Sequence, residues 1–382
     1  MTLMLASVTS RSEAETVLAG GADIIDLKDP SKGSLGQADP LLAAEIVRAI
    51  GKRRPISAAA GIAGKEAADA IHAAAALADA GIDYVKVGFR RHATADCITA
   101  IGKKVGNAKL AGVLFADEEP NLDLLGVMAE SGFAGAMLDT AHKDAGRLLD
   151  HMEIAALRDF IGRCRRYGLM AGLAGSLEAP DVPRLLPLRP DYLGFRGSLC
   201  RGKVREGAID PEAVRIIRDL IPREESLESG RADEGTGWHV FWGRGLVSER
   251  PAEADRVFVH DLVLPCAIGA YDFERGQLQN VRFNVDVDVR RPERHFDDIR
   301  AVFSYDLIID AIKLILGQGH IDLIETLASQ IADEVLRYPP VLRVCVRIEK
   351  LDVAHGTVGI EIRRERVLAP ARHIPVAPGN AA

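Results

Sequence analysis

Charged side chains interrupt several apolar runs of this chain. Asp26 and Lys28 stand in DIIDLK, Lys86 in YVKVGF, Asp139 in GAMLDTA and Arg196 in YLGFRGS. Ionisable groups are costly inside a fold unless they are paired or used. Two lysines held close together have a chemical use. Each cation disfavours protonation of the other, and burial adds to that effect. A neutral amine attacks a carbonyl to form a Schiff base. The second lysine, or Asp139, then moves protons as a general acid or base. Lys143, in DTAHKDAG, either joins this group or is a solvated loop lysine. The competing view is a buried ion-pair network that merely closes the mouth of a barrel. In such a network two neighbouring lysines gain nothing structurally.

The elements that must position these groups repeat one phrase. Apolar runs at Leu3–Val8, Asp23–Lys28, Ile56–Gly61, Tyr84–Phe89, Leu110–Ala116, Ala134–Ala141, Leu169–Ser176 and Tyr192–Ser198 read as strands. Amphipathic stretches such as Ser12–Ala19, Pro40–Ile50, Lys65–Ala80 and Glu153–Tyr167 alternate with them as helices. Eight strands alternating with helices predict a parallel sheet, and this many in about 220 residues suit a closed (β/α)8 TIM barrel. An open doubly wound sheet is weaker, because no G-x-G-x-x-G follows the first strand. Alternate side chains of a barrel strand point inward. With Ile25, Leu27, Val85, Val87, Leu138, Leu193 and Phe195 facing the helices, Asp26, Lys28, Lys86, Asp139 and Arg196 face in. They belong to the second, fourth, sixth and eighth strands, which share layers of the interior. They should therefore converge at the end where barrel enzymes place their active sites.

Two Gly/Ser loops, AGLAGSL and FRGSLCRG, follow the seventh and eighth strands. That is a frequent phosphate position in such barrels. Gly175, Ser176, Gly197 and Ser198 are the candidate phosphate ligands, with Arg196 as a charge partner. DPSKGSLG after Lys28 is either a cover carrying Lys32 and Ser34 to a second phosphate or a plain surface loop. No His/Cys/Asp cluster has metal-ligand spacing, so no metal or other cofactor is expected. His142 and His151 read as isolated surface residues.

The whole 382-residue chain bounds the classes available. A net charge of −7 gives neither a nucleic-acid footprint nor a basic patch for anionic membranes. The five scattered cysteines form no C-x-x-C, which points to a reducing cytoplasm rather than a disulfide framework. The N-terminal MTLMLASVTSRSEAE lacks a basic region and a long apolar run, so no signal peptide is expected. No apolar stretch is long enough to span a membrane.

GGADIIDLKDPSKGSLG, DYVKVGF, AMLDTAHKD, LAGS and GFRGSLCRG together resemble the (5-formylfuran-3-yl)methyl phosphate synthases of methanofuran biosynthesis, over residues 3–221. The resemblance implies a lyase. It would join two glyceraldehyde 3-phosphate molecules into 4-(hydroxymethyl)-2-furancarboxaldehyde phosphate, losing one phosphate and water. It also implies that Lys28 forms the Schiff base and that Lys86 transfers protons. The residues themselves reach only a lysine pair, phosphate sites and carbonyl chemistry. A different class I aldolase acting on another sugar phosphate is the alternative within enzymes.

Residues 223–255 are charged and Gly-rich and read as a linker after a barrel of residues 1–222. Trp238, Phe241 and Trp242 within it are expected to dock on a neighbouring domain. From residue 256 to 366 the grammar changes to ββααββ. FVHDLVL and VRFNVDVDV alternate as half-exposed strands, helices follow at Tyr305–Leu316 and Asp322–Arg337, and VLRVCVRIEK and TVGIEIRRE close the unit. Residues 367–382 read as a flexible tail.

IGAYDFER, FSYDLIIDAI, LIETLASQIADEVL and VCVRIEK resemble dihydroneopterin aldolase, an α+β tunnelling fold that works in oligomeric rings. The resemblance implies that Glu325 grips a pterin, that Tyr305 and Lys350 transfer protons and that Glu274 approaches from the other side. Leu351 stands where that family usually has proline. A homo-oligomer is expected. The alternative for this domain is a non-catalytic oligomerisation module.

Overall fold

The computed structural model describes all residues except 65–66, 106–108, 223–253, 272–273, 293–297, 354–356 and 367–382. The expected tail and most of the expected linker, with Trp238, Phe241 and Trp242, lie outside the described residues. Two compact units are present.

The first unit is a closed parallel barrel of eight strands in sequential order. They are β1 (Leu3–Val8), β2 (Ile24–Leu27), β3 (Ile56–Ile62), β4 (Tyr84–Phe89), β5 (Lys109–Phe115), β6 (Gly135–Asp139), β7 (Met170–Leu173) and β8 (Tyr192–Phe195). β8 pairs back onto β1, with Leu3 opposite Tyr192 and Ala6 opposite Phe195. The alternation is that of a barrel wall. Ile25, Leu27, Val85, Val87, Leu193 and Phe195 are buried. An apolar cluster including Leu5, Ile24, Ala59, Val113, Met137 and Tyr192 forms a core. The next inward positions along β2, β4 and β6, toward the strands' C-terminal ends, are Asp26, Lys86 and Asp139.

The last three strands stop short of the spans expected from hydropathy. β6, β7 and β8 end at Asp139, Leu173 and Phe195, rather than at Ala141, Ser176 and Ser198. Gly175 at φ 117° and Ser176 at φ 50° take left-handed backbone that no strand continues through. Gly197–Leu199 forms a short 3-10 turn. A Cβ at Gly175 would lie 2.9 Å from the Thr140 side chain. The hydropathy was apolar enough to look extended, but the chain had already turned into the loops that shape the site.

The second unit is an antiparallel sheet in the order β12-β11-β10-β9. Its strands are β9 (Ala254–Cys266), β10 (Gln279–Arg290), β11 (Val341–Lys350) and β12 (Val358–Glu365), with helices Asp306–Leu316 and Ile324–Leu336 between β10 and β11. Period two again sets the buried face. Phe283, Val285 and Val287 pair with Ile348, Val346 and Val344. All six are buried, as are Leu327, Ile331 and Val335 on the second helix, which packs against β11. Both helices are one or two residues shorter at their starts than expected, a normal margin for helix ends. Among the described residues, no helix is long and apolar enough to cross a membrane.

Close backbone approach gives a direct test of the barrel's packing. Helix Ala95–Lys104 meets the end of the next helix at Gly102, where a Cβ would fall 2.2 Å from the Ser131 carbonyl oxygen. A carbonyl cannot step aside as a side-chain tip can. Gly102→Ala should lower stability by about 1–3 kcal/mol despite the better helix propensity of alanine. Chemical denaturation followed by circular dichroism measures this.

Candidate active site

A cavity of about 940 Å³ opens at the C-terminal ends of the barrel strands, and Lys28, Lys86, Asp139 and Lys143 all line it. Each is delivered differently. Lys86 lies within β4 and Asp139 ends β6. Lys28 follows the last residue of β2, its amide still donating to the Val8 carbonyl at 3.2 Å. Lys143 comes from the loop after β6. That loop is anchored by Asp117, whose carboxylate accepts the Ala141 amide at 2.7 Å and the His142 amide at 2.8 Å.

The charges are arranged in pairs. Lys86 Nζ sits 2.6 Å from Asp26 Oδ1. Asp26 is fully buried and also accepts from Ser7 Oγ at 2.8 Å and Ser57 Oγ at 2.6 Å. Lys143 Nζ bonds the Asp139 carboxylate and lies 3.1 Å from Thr140 Oγ1. The Thr140 amide donates to Asp139 at 2.8 Å. Among the described residues, no hydrogen bond or ion pair engages the Lys28 amine. Lys28 is only 8% exposed. Burial is the largest influence on it, and it brings the amine down to about 7; Asp139 resists this, while the cations Lys86 and Lys143 assist it. Burial likewise lowers Lys143, against the pull of Asp139. Burial works against ionisation of Asp139, but Lys143 and Lys28 outweigh it and hold the carboxyl below its usual range. The site therefore offers one nucleophilic amine with a substantial uncharged fraction near neutral pH, flanked by two lysine–aspartate pairs able to move protons.

The proposed phosphate residues divide. Gly175, Ser176, Gly197 and Ser198 line the same cavity. Arg196 also borders it, but its donors are spent elsewhere. Its guanidinium bonds Glu13 at 2.6 and 3.3 Å and the carbonyls of Arg205 at 2.8 Å, Ser7 at 3.2 Å and Gly207 at 3.2 Å. An arginine has five N–H donors, and these contacts use them all. Hydropathy placed Arg196 inward correctly, but a carboxylate from the first helix had already claimed it. Ser34 is buried on the cavity wall, whereas Lys32 is exposed and pairs with Asp29 at 3.2 Å. His142, 66% exposed, stands at the cavity with its Nδ1 3.1 Å from Asp117. Arg205 lines the cavity and was not singled out in the sequence, because it lies in a loop without periodicity. Among the described residues, no group of three or more His, Cys, Asp or Glu is arranged to hold a metal ion.

In the second unit, Glu274 and Lys350 meet at 2.8 Å. Glu274 also accepts from Gln279 Nε2 at 2.9 Å and the Tyr271 amide at 3.1 Å. Hydrogen bonds from Lys350 and Gln279 hold its carboxyl down at about 2. Gly269, at φ 143°, makes room for it: a Cβ there would lie 2.1 Å from the Glu274 carboxyl carbon. Tyr305 is 59% exposed beside the start of helix Asp306–Leu316, and Glu325 is exposed in the first turn of helix Ile324–Leu336. Among the described residues, no hydrogen bond joins Tyr305 to Lys350.

The lowered Lys28 amine has a kinetic signature. Only the deprotonated form adds to a carbonyl. Borohydride trapping of a small aldehyde at Lys28 should therefore rise through about pH 7 and level off above it, whereas a solvated lysine would need about pH 10. Lys86→Met removes a cation and leaves Asp26 unpaired. Both changes favour the charged amine, so the trapping midpoint should move to higher pH.

Comparison with known proteins completes the picture. Residues 4–218 match the family model for 4-HFC-P synthase, and residues 257–363 match that for dihydroneopterin aldolase. A relative from Methylorubrum extorquens is 42% identical over 220 residues, covering 56% of this chain and 91% of its own. The (5-formylfuran-3-yl)methyl phosphate synthase of Methanococcus maripaludis strain C5 is 36% identical over 229 residues, covering 56% of this chain and 97% of its own. The crystal structure of dihydroneopterin aldolase from Burkholderia thailendensis aligns at 31% identity and a TM-score of 0.28, covering 32% of this chain and 100% of its own. This chain belongs to the 4-HFC-P synthase family, with a dihydroneopterin aldolase-like domain fused after its barrel.

Proposed function

We propose that the barrel joins two molecules of glyceraldehyde 3-phosphate into (5-formylfuran-3-yl)methyl phosphate. The observation that carries this reading is the unpaired Lys28 amine among two lysine–aspartate pairs. Lys28 adds to the aldehyde carbon of the first molecule, the carbonyl oxygen leaves as water, and an imine remains. Loss of a proton beside the imine gives a carbon nucleophile that attacks the second aldehyde. The Asp26–Lys86 pair takes and returns protons at the barrel floor, and Asp139–Lys143 does so at the loop side. Attack of a hydroxyl oxygen of the second molecule on the imine carbon closes the ring and expels the Lys28 amine, and loss of one phosphoric acid and a second water completes the furan. The atoms of two triose phosphates equal those of the product, one phosphoric acid and two waters. No oxidant or reductant is needed. The Gly175–Ser176 and Gly197–Ser198 loops receive a phosphoryl group in this reading.

For residues 256–366 we propose a pterin as substrate, with Glu274 and Lys350 at the reacting end. Tyr305 and Glu325 are exposed in the single chain, which favours a homo-oligomer in which a second copy covers them.

Incubating the full chain with glyceraldehyde 3-phosphate should produce a furan chromophore in the ultraviolet, with product identity fixed by mass spectrometry. Lys28→Ala should abolish it. A Lys28→Ala protein with full furan production would remove the mechanism, and a different condensation product would move the barrel to another aldolase class. In the same preparations, dihydroneopterin consumption should survive Lys28→Ala and be lost in Lys350→Met. No consumption by the parent chain would leave this domain as an assembly module.

A further inference from the structure

We propose that Arg205 is the residue that selects a phosphorylated aldehyde over an unphosphorylated one, and that Arg196 is the positioning residue that holds it in place. The inference rests on the Schiff-base reading of the barrel and deepens it. Three observations lead to it. First, the Arg196 guanidinium spans the Arg205 and Gly207 carbonyls on one side and Glu13 and the Ser7 carbonyl on the other. The loop after β8 is thus clamped to β1 and to the helix following it. An antiparallel bridge between Cys200 and Ile209 closes the base of the same loop. Arg205 therefore sits on a fixed backbone, not on a free arm.

Second, Arg205 and Ser198 both line the cavity, yet among the described residues Arg205 Nη2 and Ser198 Oγ are buried with no hydrogen-bond partner. Unmet buried donors cost about 1–3 kcal/mol each unless something supplies an acceptor. A phosphoryl group supplies several and suits a planar guanidinium. Third, three other cations that line the cavity are already matched. Lys203 at the rim pairs with Glu178 at 3.0 Å, Lys86 with Asp26, and Lys143 with Asp139. Arg205 is close enough to Lys143 for its charge to disfavour the lysine's protonation. Among the described residues no ion pair engages Arg205, and its charge adds positive potential beside Lys143.

The test reads the concentration of aldehyde that half-saturates borohydride trapping at Lys28. It compares glyceraldehyde 3-phosphate with glyceraldehyde. In the parent chain the phosphorylated aldehyde should trap at lower concentration, and inorganic phosphate should compete with it. In R205Q and R205M that preference should shrink roughly ten- to hundredfold, the range expected for losing a charge-assisted contact. Phosphate competition should weaken by a similar factor. R205K keeps the charge but not the fork, and should lose less. R196K keeps a cation against Glu13 but releases the loop carbonyls, so it should reduce the same preference. A purely structural role would instead weaken trapping of both aldehydes together. Circular dichroism identifies variants that have not folded. A preference within twofold of the parent in folded R205Q or R205M overturns the proposal. So does an equal loss for both aldehydes. A parent chain trapped by neither aldehyde would overturn the Schiff-base reading, and this inference with it.

Discussion

The site depends on keeping one amine dry and unpaired while its neighbours are neutralised. A lysine stripped of water gives up its proton readily, provided the pull of nearby carboxylates does not outweigh burial. The barrel meets this by distributing its aspartates. Asp26 is occupied by Lys86, Ser7 and Ser57, and Asp139 by Lys143 and the Thr140 amide. Both carboxylates would otherwise be available to Lys28. The pairs also spare the fold the cost of isolated buried charges. The serines of β1 and β3 thus help define the reactivity of a lysine just past β2.

Much of this was legible from period two alone. Ile25 and Leu27 facing outward force Asp26 and Lys28 inward, and the same logic places Lys86 and Asp139. Apolar alternation reports which face a side chain takes, because that is fixed by the pleat. It does not report what the side chain meets there. Arg196 shows the difference: it turns inward, but its partner, Glu13, is separated from it by nearly the whole barrel sequence. Lys143 and Arg205 lie beyond the strands, where no period operates, and only the folded loops bring them to the cavity. The ends of β6, β7 and β8 were overread for a related reason. Most of the residues that follow are small and break no hydropathy pattern, yet Gly175 and Ser176 adopt backbone that turns the chain.

The second unit was similarly readable in outline. Its alternating strands and two helices fall in the expected order, and the buried face of β10 and β11 follows from their valines and isoleucines. Glu274 and Lys350 come together although 76 positions separate them. A lysine ending a strand would ordinarily be solvated. Here the Gly269 backbone leaves just enough room for a carboxylate to reach it. Tyr305 and Glu325 were attributed through resemblance, and the single chain leaves them at the surface, away from that pair's hydrogen bonds.

An amine with a substantial neutral fraction near pH 7 differs chemically from solvated lysines. Small electrophiles that reach the cavity meet a nucleophile already in its reactive form, whereas surface ammonium groups remain protected by their charge. The seclusion that lowers Lys28 therefore also makes it a vulnerable point of the protein, open to any stray reactive carbonyl or acylating metabolite that enters the cavity.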